Sequence, residues 1–136
     1  MPTSTVIGAG PAGCTAAILL ARAGWSVTLI EQHPFPRHKV CGECLSHLGF
    51  QVLTRLNLAD EFLSANPTPL TQTLLHAPDG SSASIPLPHP MFGLSRHRLD
   101  PLLLTQAQQA GATLLTPYRC ESLSPTTIRN LQNNEI

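Results

Sequence analysis

Val6-Ile7-Gly8-Ala9-Gly10-Pro11-Ala12-Gly13 opens the stretch of sequence, residues 4–31, that decides the fold. A short apolar strand leads into the pattern Gly-x-Gly-x-x-Gly, and an apolar helical stretch then ends at Gly24. A second strand, Ser26-Val27-Thr28-Leu29-Ile30, closes on an acidic residue, Glu31. A dinucleotide-binding fingerprint requires this order of strand, turn, helix, strand and acid. The sequence therefore predicts an α/β fold with a Rossmann-type βαβ unit.

Each residue of the fingerprint has a physical task. Gly8 can take the tight turn after the strand, Gly10 lets the backbone approach a pyrophosphate, and Gly13 lets the helix pack close to the strand. Backbone N–H groups at the start of the helix then face the phosphates. Glu31 can accept hydrogen bonds from two ribose hydroxyls and would repel a 2′-phosphate, which favours FAD or NAD over NADP. The alternative is a βα turn that binds nothing.

Length and charge limit the possible functions. A chain of 136 residues supports one ordinary domain, and no compositional run marks a linker to a second one. Eight basic and eight acidic residues balance, so neither nucleic acid nor an acidic membrane surface is an expected partner. The apolar stretch from Val6 to Gly24 contains Arg22 and several glycines, which favours a buried helix over a transmembrane segment. With no signal peptide evident, we expect a cytoplasmic location.

The four cysteines differ in their expected roles. Cys14 and Cys120 are expected to be packing residues. Cys41-Gly42-Glu43-Cys44 is a C-x-x-C motif, and three interpretations stay open: a zinc site, a redox-active dithiol, or a loop that places its backbone against a cofactor. No second ligand pair has suitable spacing, so no metal site is predicted. Cys41 and Cys44 are weak candidates for a redox role.

The middle of the chain predicts one helix and a strand region. Apolar spacing favours a helix over Leu45–Leu58. Leu70–Ala77 and Ser82–Leu87 have the composition of strands, and the turn residues Pro78-Asp79-Gly80 separate them. Met91–Ser95 is a candidate for a third strand.

The segment after Gly93 predicts a second helix and another strand. Asp100 followed by Pro101 is typical of a helix N-cap and first helical residue, so within residues 96–110 we expect a turn followed by a regular helix from Pro101. Gly111 predicts the end of this helix. Ala112–Leu115 predicts a strand parallel to the first, whereas the last twenty residues are weakly patterned.

Three segments together resemble one known family. They are Val6–Glu31, the loop Pro36–Ser46 within residues 34–46, and Gly93–Asp100 with its Arg-x-x-Leu-Asp pattern. The chain is similar to the N-terminal part of FAD-dependent oxidoreductases of the aromatic hydroxylase type, in the branch of geranylgeranyl reductases and flavin-dependent halogenases. The match covers residues 4 to 116 and implies an incomplete FAD-binding domain with a small added β-strand region.

The resemblance implies a set of FAD contacts near the fingerprint. Ala12 and Gly13 would lie near the pyrophosphate, and Glu31 would lie on the adenosine ribose. Arg37 and Lys39 could face phosphates or substrate, but a solvated loop is the expected state of both.

The resemblance implies further contacts on the flavin side. Val40, Cys41 and Gly42 would approach the flavin with their backbone, and Arg96 would contact FAD. The alternative for Arg96 is an exposed arginine beside the start of a helix. The implied chemistry is reduction, hydroxylation or halogenation through FAD, with NAD(P)H or another reductant to reduce the flavin.

Length is the main departure from the family. Family members are two to three times longer, so the chain is expected to be a fragment or to depend on a second polypeptide that supplies the missing half. The alternatives are a non-catalytic nucleotide-binding or interaction module and an NAD-binding module.

Overall fold

A computed structural model of the chain describes residues 1–123 and 128–130. The described residues form two compact units. We call Met1–Arg37 with Leu99–Ile136 the terminal unit and His38–Arg98 the central unit. The expectation that the chain has no separate second domain stays a prediction.

The helices and strands follow in chain order: β1 (Thr3–Ile7), α1 (Pro11–Arg22), β2 (Ser26–Ile30), β3 (Cys44–Leu45), α2 (His47–Arg55), α3 (Ala59–Ser64), β4 (Thr68–His76), β5 (Ser82–Gly93), α4 (Arg96–Gln109), β6 (Thr113–Leu115), β7 (Cys120–Leu123) and β8 (Ile128–Asn130).

The terminal unit contains a parallel sheet in the order β1-β2-β6. β1 and β2 pair over their whole lengths, from Thr3 opposite Ser26 to Ile7 opposite Ile30, and α1 connects them. β6 pairs in parallel with the other edge of β2. The predicted βαβ unit and the predicted parallel strand over Ala112–Leu115 are both confirmed.

Helix α1 buries one face and β2 buries most of its residues. Cys14, Ala17 and Ile18 are fully buried, and their spacing of three and four residues places them on one side of the helix. Val27 and Leu29 of β2 are also buried. α1 has 12 residues, and no described helix is long and apolar enough to cross a membrane.

Helix α4 begins five residues earlier than predicted. It runs from Arg96 to Gln109 with Pro101 inside it, so the predicted turn over Arg96–Leu99 and the predicted N-cap role of Asp100 are wrong. Proline removes one backbone N–H but has a helical φ, so an early turn of the helix can include it at the loss of one hydrogen bond. The predicted end is confirmed, because Gly111 has φ +109° just after the helix.

The central unit has two helices where one was predicted. α2 begins after Ser46, whose hydroxyl accepts a hydrogen bond from the Gly49 N–H at 3.2 Å. Asn57 has φ 58° and separates α2 from α3, which the sequence analysis missed. Its left-handed backbone conformation is incompatible with the continuous helix predicted over Leu45–Leu58.

The rest of the central unit is an antiparallel sheet in the order β3-β5-β4. The two predicted strands and their turn are confirmed, but the separate strand over Met91–Ser95 is wrong, because residues 91–93 end β5. Pro86, Pro88 and Pro90 alternate along β5, so the N–H groups that they lack would all lie on one side of the strand. The strand can therefore continue through them, with a register shift opposite Leu70–Gln72.

Three aromatic rings pack against one another in the central unit. Phe50 of α2 lies with its ring centroid 4.9 Å from that of Phe92 of β5. Phe62 of α3 is fully buried and lies 5.8 Å from Phe50 and 5.6 Å from Phe92. Mutual contact of these rings packs both helices onto the sheet.

The terminal unit also contains an antiparallel pair that was not predicted. β7 pairs with β8, with Leu123 opposite Ile128. Residues 124–127 and 131–136, which belong to the weakly patterned end of the chain, lie outside the described residues.

Candidate cofactor site

The glycine-rich turn joins β1 to α1 in a conformation that only small residues permit. Gly8 has φ +96° and donates its N–H to the Ile30 carbonyl at 2.7 Å. Gly13 lies so close to the turn that a Cβ atom there would clash with the Gly8 carbonyl oxygen. The turn therefore requires glycine at both positions, for two different reasons.

The start of α1 leaves backbone donors available. The first intrahelical hydrogen bond runs from the Cys14 N–H to the Gly10 carbonyl at 2.9 Å, so Ala12 and Gly13 precede it. Their N–H groups have no acceptor within the helix. The N-cap is Gly10, which has no side chain to satisfy them. Together with the positive end of the helix dipole, these donors can hold a phosphate group.

Glu31 is buried beneath this turn and is 5% exposed. Its Oε2 accepts the Ala9 N–H at 2.9 Å, and its Oε1 accepts the His33 N–H at 3.0 Å. Arg37 donates from Nη2 to Oε2 at 3.4 Å. A carboxylate has about four acceptor positions, so the described donors leave about one on Oε1.

Arg37 lies within the protein, which makes the prediction of a solvated Arg37 wrong. Its side chain is 12% exposed, and its guanidinium contacts two carboxylates, Glu31 at 3.4 Å and Asp100 at 3.5 Å. The guanidinium carbon also lies 5.0 Å from the centroid of the Phe35 ring. Asp100 is fully buried on α4. Two buried acids need a nearby cation, and this requirement draws Arg37 inward. Lys39 is exposed, as predicted.

Cys14 completes the buried polar groups behind the turn. Its thiol donates to the Ala9 carbonyl at a sulfur–oxygen distance of 3.3 Å, consistent with the predicted packing role. Burial, and secondly the Asp100 carboxylate, raise the pKa of Cys14 from 9.0 to about 12. The thiol therefore keeps its proton at neutral pH and can act as a donor.

A cavity of about 220 Å³ opens at the carboxyl ends of β1 and β2. Its lining combines the fingerprint with a later segment and consists of Ile7, Gly8, Ile30, Glu31, Gln32, Tyr118, Arg119 and Cys120. Ligands of open α/β sheets bind at this edge. No site role was predicted for Tyr118–Cys120, although their position after a parallel strand was the available signal. The Tyr118 N–H donates to the Glu31 carbonyl at 2.8 Å and fixes this segment to the fingerprint.

The predicted site residues fall into both units. Gly8, Gly10, Ala12, Gly13 and Glu31 belong to the terminal unit, and Val40, Cys41, Gly42 and Arg96 belong to the central unit.

The loop of the central unit exposes its backbone. Val40 is fully exposed, and a Cβ atom at Gly42 would meet no atom within 4 Å. The Cys41 thiol accepts the Glu43 N–H at 3.2 Å. Arg96 is the first residue of α4. The backbone at Val40 and Gly42 is therefore accessible.

Cys41 and Cys44 are exposed free thiols. Among residues 1–123 and 128–130, no group of three or more histidine, cysteine or acidic residues could hold a metal ion.

The central unit has a cavity of its own beside this loop, of about 430 Å³. Cys44, Thr68, Ser95 and Arg98 are among the polar residues that line it, and Leu70 and Leu94 add apolar surface.

Comparisons with known proteins agree with this geometry. A family model described as FAD binding domain matches residues 2–127. The chain is 34% identical to the menaquinone reductase of Mycolicibacterium smegmatis over 116 residues, which cover 81% of this chain and 27% of the reductase. The chain therefore spans about a quarter of the length of this curated relative. The prediction that the chain is an FAD-binding portion with FAD as cofactor is confirmed.

Solved structures share the fold. The tetrameric form of 2-methyl-3-hydroxypyridine-5-carboxylic acid oxygenase superposes with a TM-score of 0.85 at 25% identity, over 100% of this chain and 37% of the oxygenase. The myxobacterial chondrochloren halogenase superposes with a TM-score of 0.83 at 24% identity, over 99% of this chain and 34% of the halogenase. The predicted α/β fold of an FAD-binding domain is confirmed.

Proposed function

The chain belongs to the FAD binding domain family, and from this premise we propose that it holds FAD for a flavin-dependent oxidoreductase. The observation that carries the proposal is the glycine-rich turn, whose free N–H groups at the start of α1 adjoin a buried acid and a cavity at the same sheet edge. When bound, FAD supplies the electron transfer of such enzymes, and the protein supplies binding and orientation.

The terminal unit is proposed to hold the ADP half of FAD. The N–H groups of Ala12 and Gly13 donate to the pyrophosphate, since Gly8 and Gly10 keep side chains out of the approach. The remaining acceptor position of Glu31 takes a ribose hydroxyl. The negative charge of this buried carboxylate would repel a 2′-phosphate, which supports FAD over nucleotides that carry one.

The central unit is proposed to meet the flavin half. The backbone of Val40, Cys41 and Gly42 approaches the ring system, and Arg96 contacts FAD. The exposed loop and the open space at Gly42 support this assignment. It rests otherwise on the resemblance of residues 36–46 and 93–100 to the family.

Within the family, we propose a reductase of the geranylgeranyl reductase-like branch, with monooxygenase or halogenase chemistry as the alternatives. The loop Pro36–Ser46 and the likeness to a menaquinone reductase support the reductase. We propose that turnover needs a reductant such as NAD(P)H and the further residues that the longer relatives carry, in the same or a second polypeptide. Free thiols at Cys14, Cys41 and Cys44 support a reducing compartment such as the cytoplasm.

Titration of the purified protein with FAD, followed by flavin fluorescence, tests the proposal. Saturable binding with a dissociation constant in the micromolar range or lower is expected, with NAD binding more weakly because it lacks the flavin. Glu31→Gln keeps the shape of the side chain and removes its charge, and it should weaken FAD binding about tenfold.

Two results would favour the other candidate functions. Equal affinities for FAD and NAD would favour an NAD-binding module that recognises only the shared ADP half. A folded protein that binds neither nucleotide would favour a non-catalytic interaction module.

A further inference from the structure

The peptide unit at the centre of the glycine-rich turn is held from both sides. The N–H of Ala9 donates to Glu31 Oε2 at 2.9 Å, and the carbonyl of Ala9 accepts from the Cys14 thiol at 3.3 Å. Ala9 is fully buried. The orientation of the turn therefore depends on the Glu31 carboxylate and the Cys14 thiol.

The charges behind this peptide form a chain of three. Glu31, Arg37 and Asp100 carry two negative charges and one positive charge, and the guanidinium bridges the carboxylates at 3.4 and 3.5 Å. All three side chains are at least mostly buried, at 6%, 12% and 0% exposure. The guanidinium contacts both carboxylates, so its removal takes a charge-assisted contact away from each and leaves two like charges close together.

We propose that Arg37 is a positioning residue for FAD, bridging Glu31 and Asp100 so that Glu31 stays where it holds both the Ala9 peptide and the adenosine ribose. Arg37 acts through Glu31 and not by touching the cofactor. The inference rests on the proposed function, because it concerns how the same site binds FAD.

The geometry of Arg37 supports an indirect role. Two of its nitrogens point to carboxylates, and its guanidinium lies over the Phe35 ring. Its Nε is buried and has no hydrogen-bond partner among the described residues. The cost of that unpaired donor is offset by the two charge-assisted contacts of the same side chain.

The test uses charge rescue. Arg37→Met removes the cation and leaves two acids, and FAD binding should weaken about tenfold or more. The double variant Arg37→Met/Asp100→Asn restores the original net charge of the cluster, so the charge of Asp100 no longer repels Glu31. Its dissociation constant for FAD should return to within about threefold of the wild-type value.

A ligand comparison separates positioning from general stability. Arg37→Met should weaken the binding of ADP more than that of 2′,3′-dideoxy-ADP, because both ligands use the turn that Glu31 holds but only ADP offers Glu31 its ribose hydroxyls. A purely structural role would weaken both ligands equally. Arg55→Met, an exposed arginine at the end of α2, is the matched control and should bind FAD like the wild type.

Each outcome decides one question. Recovery in the double variant supports the inference, and failure of the double variant to fold or to recover overturns it. If Glu31→Gln weakens FAD binding but Arg37→Met behaves like Arg55→Met, the inference fails alone. If the wild-type protein binds no FAD, the proposed function fails, and the inference fails with it.

Discussion

The two segments proposed to contact FAD are built in opposite ways. The glycine-rich turn of the terminal unit rests on buried groups, since Ala9 and Cys14 are fully buried and Glu31 is nearly so. The loop of the central unit carries a fully exposed Val40 and exposed thiols at Cys41 and Cys44. The first segment has its binding geometry fixed by the fold before any ligand arrives. The second segment has an accessible backbone, and its local contacts constrain its conformation far less.

This difference assigns separate tasks to the two segments. A preorganised turn loses little conformational freedom on binding, so it can supply most of the affinity for the ADP half. If the exposed loop meets the flavin as proposed, it would contribute mainly shape and access at that half of the cofactor. Substitutions behind the turn should therefore change both stability and affinity, whereas substitutions in the loop should leave stability intact.

The largest expected effect is on the charge cluster. Arg37→Met should lower the free energy of unfolding by about 3 kcal/mol, because it removes a cation that contacts both Glu31 and Asp100. Chemical denaturation of wild type and variant measures this difference. The exposed Arg55→Met should change stability by less than about 0.5 kcal/mol, and equal effects of the two substitutions would contradict the account.

The next largest difference in stability is expected between alanine substitutions at two glycines. Gly13→Ala places a Cβ atom against the Gly8 carbonyl and should cost about 1–3 kcal/mol of stability, with loss of FAD binding. Gly42→Ala adds the same atom where nothing lies within 4 Å, so its melting temperature should match the wild type. Thermal melts of both variants followed by circular dichroism are the measurement. A Gly13→Ala protein as stable as the wild type would mean that the turn has room for a Cβ atom beside the Gly8 carbonyl.

Cys14 should link stability to alkaline pH. Its pKa is raised from 9.0 to about 12 in the folded protein, so between these values the unfolded chain releases the thiol proton and the folded protein retains it. Stability is fully present below pH 9 and falls as the pH rises above it. Denaturation curves from pH 8 to about pH 11, with Cys14→Ala as reference, should show a steeper decline for the wild type. Parallel declines would refute the raised pKa.

The smallest effect is expected from the exposed thiols. Cys41→Ser and Cys44→Ser should leave stability unchanged, since neither thiol is buried. If the loop contacts the flavin only with its backbone, the rate of flavin reduction should also stay unchanged. A loss of reduction in both variants would identify Cys41 and Cys44 as a redox-active dithiol, which is the second interpretation of the motif.

The features that could be predicted from the sequence are those that depend on residues close together along the chain. The alternation of strand, glycine pattern, helix and acid over residues 4–31 is local, and the structure confirms it. The burial of Arg37 could not be predicted in this way, because its partner Asp100 lies far along the chain and only tertiary packing brings them together. Pro101 was misread for a related reason: its preference for the first turn of a helix is real, but the helix begins five residues before it. The break at Asn57 was not predicted, because the apolar spacing continues up to Leu56.

The central claim is that the chain recognises FAD through its ADP half. Competition against bound FAD, followed by flavin fluorescence, tests it most directly, with ADP and FMN as the two competitors. We expect ADP to displace FAD and FMN, which lacks the ADP half, to displace it only weakly. Strong displacement by FMN, together with no displacement by ADP, would contradict it.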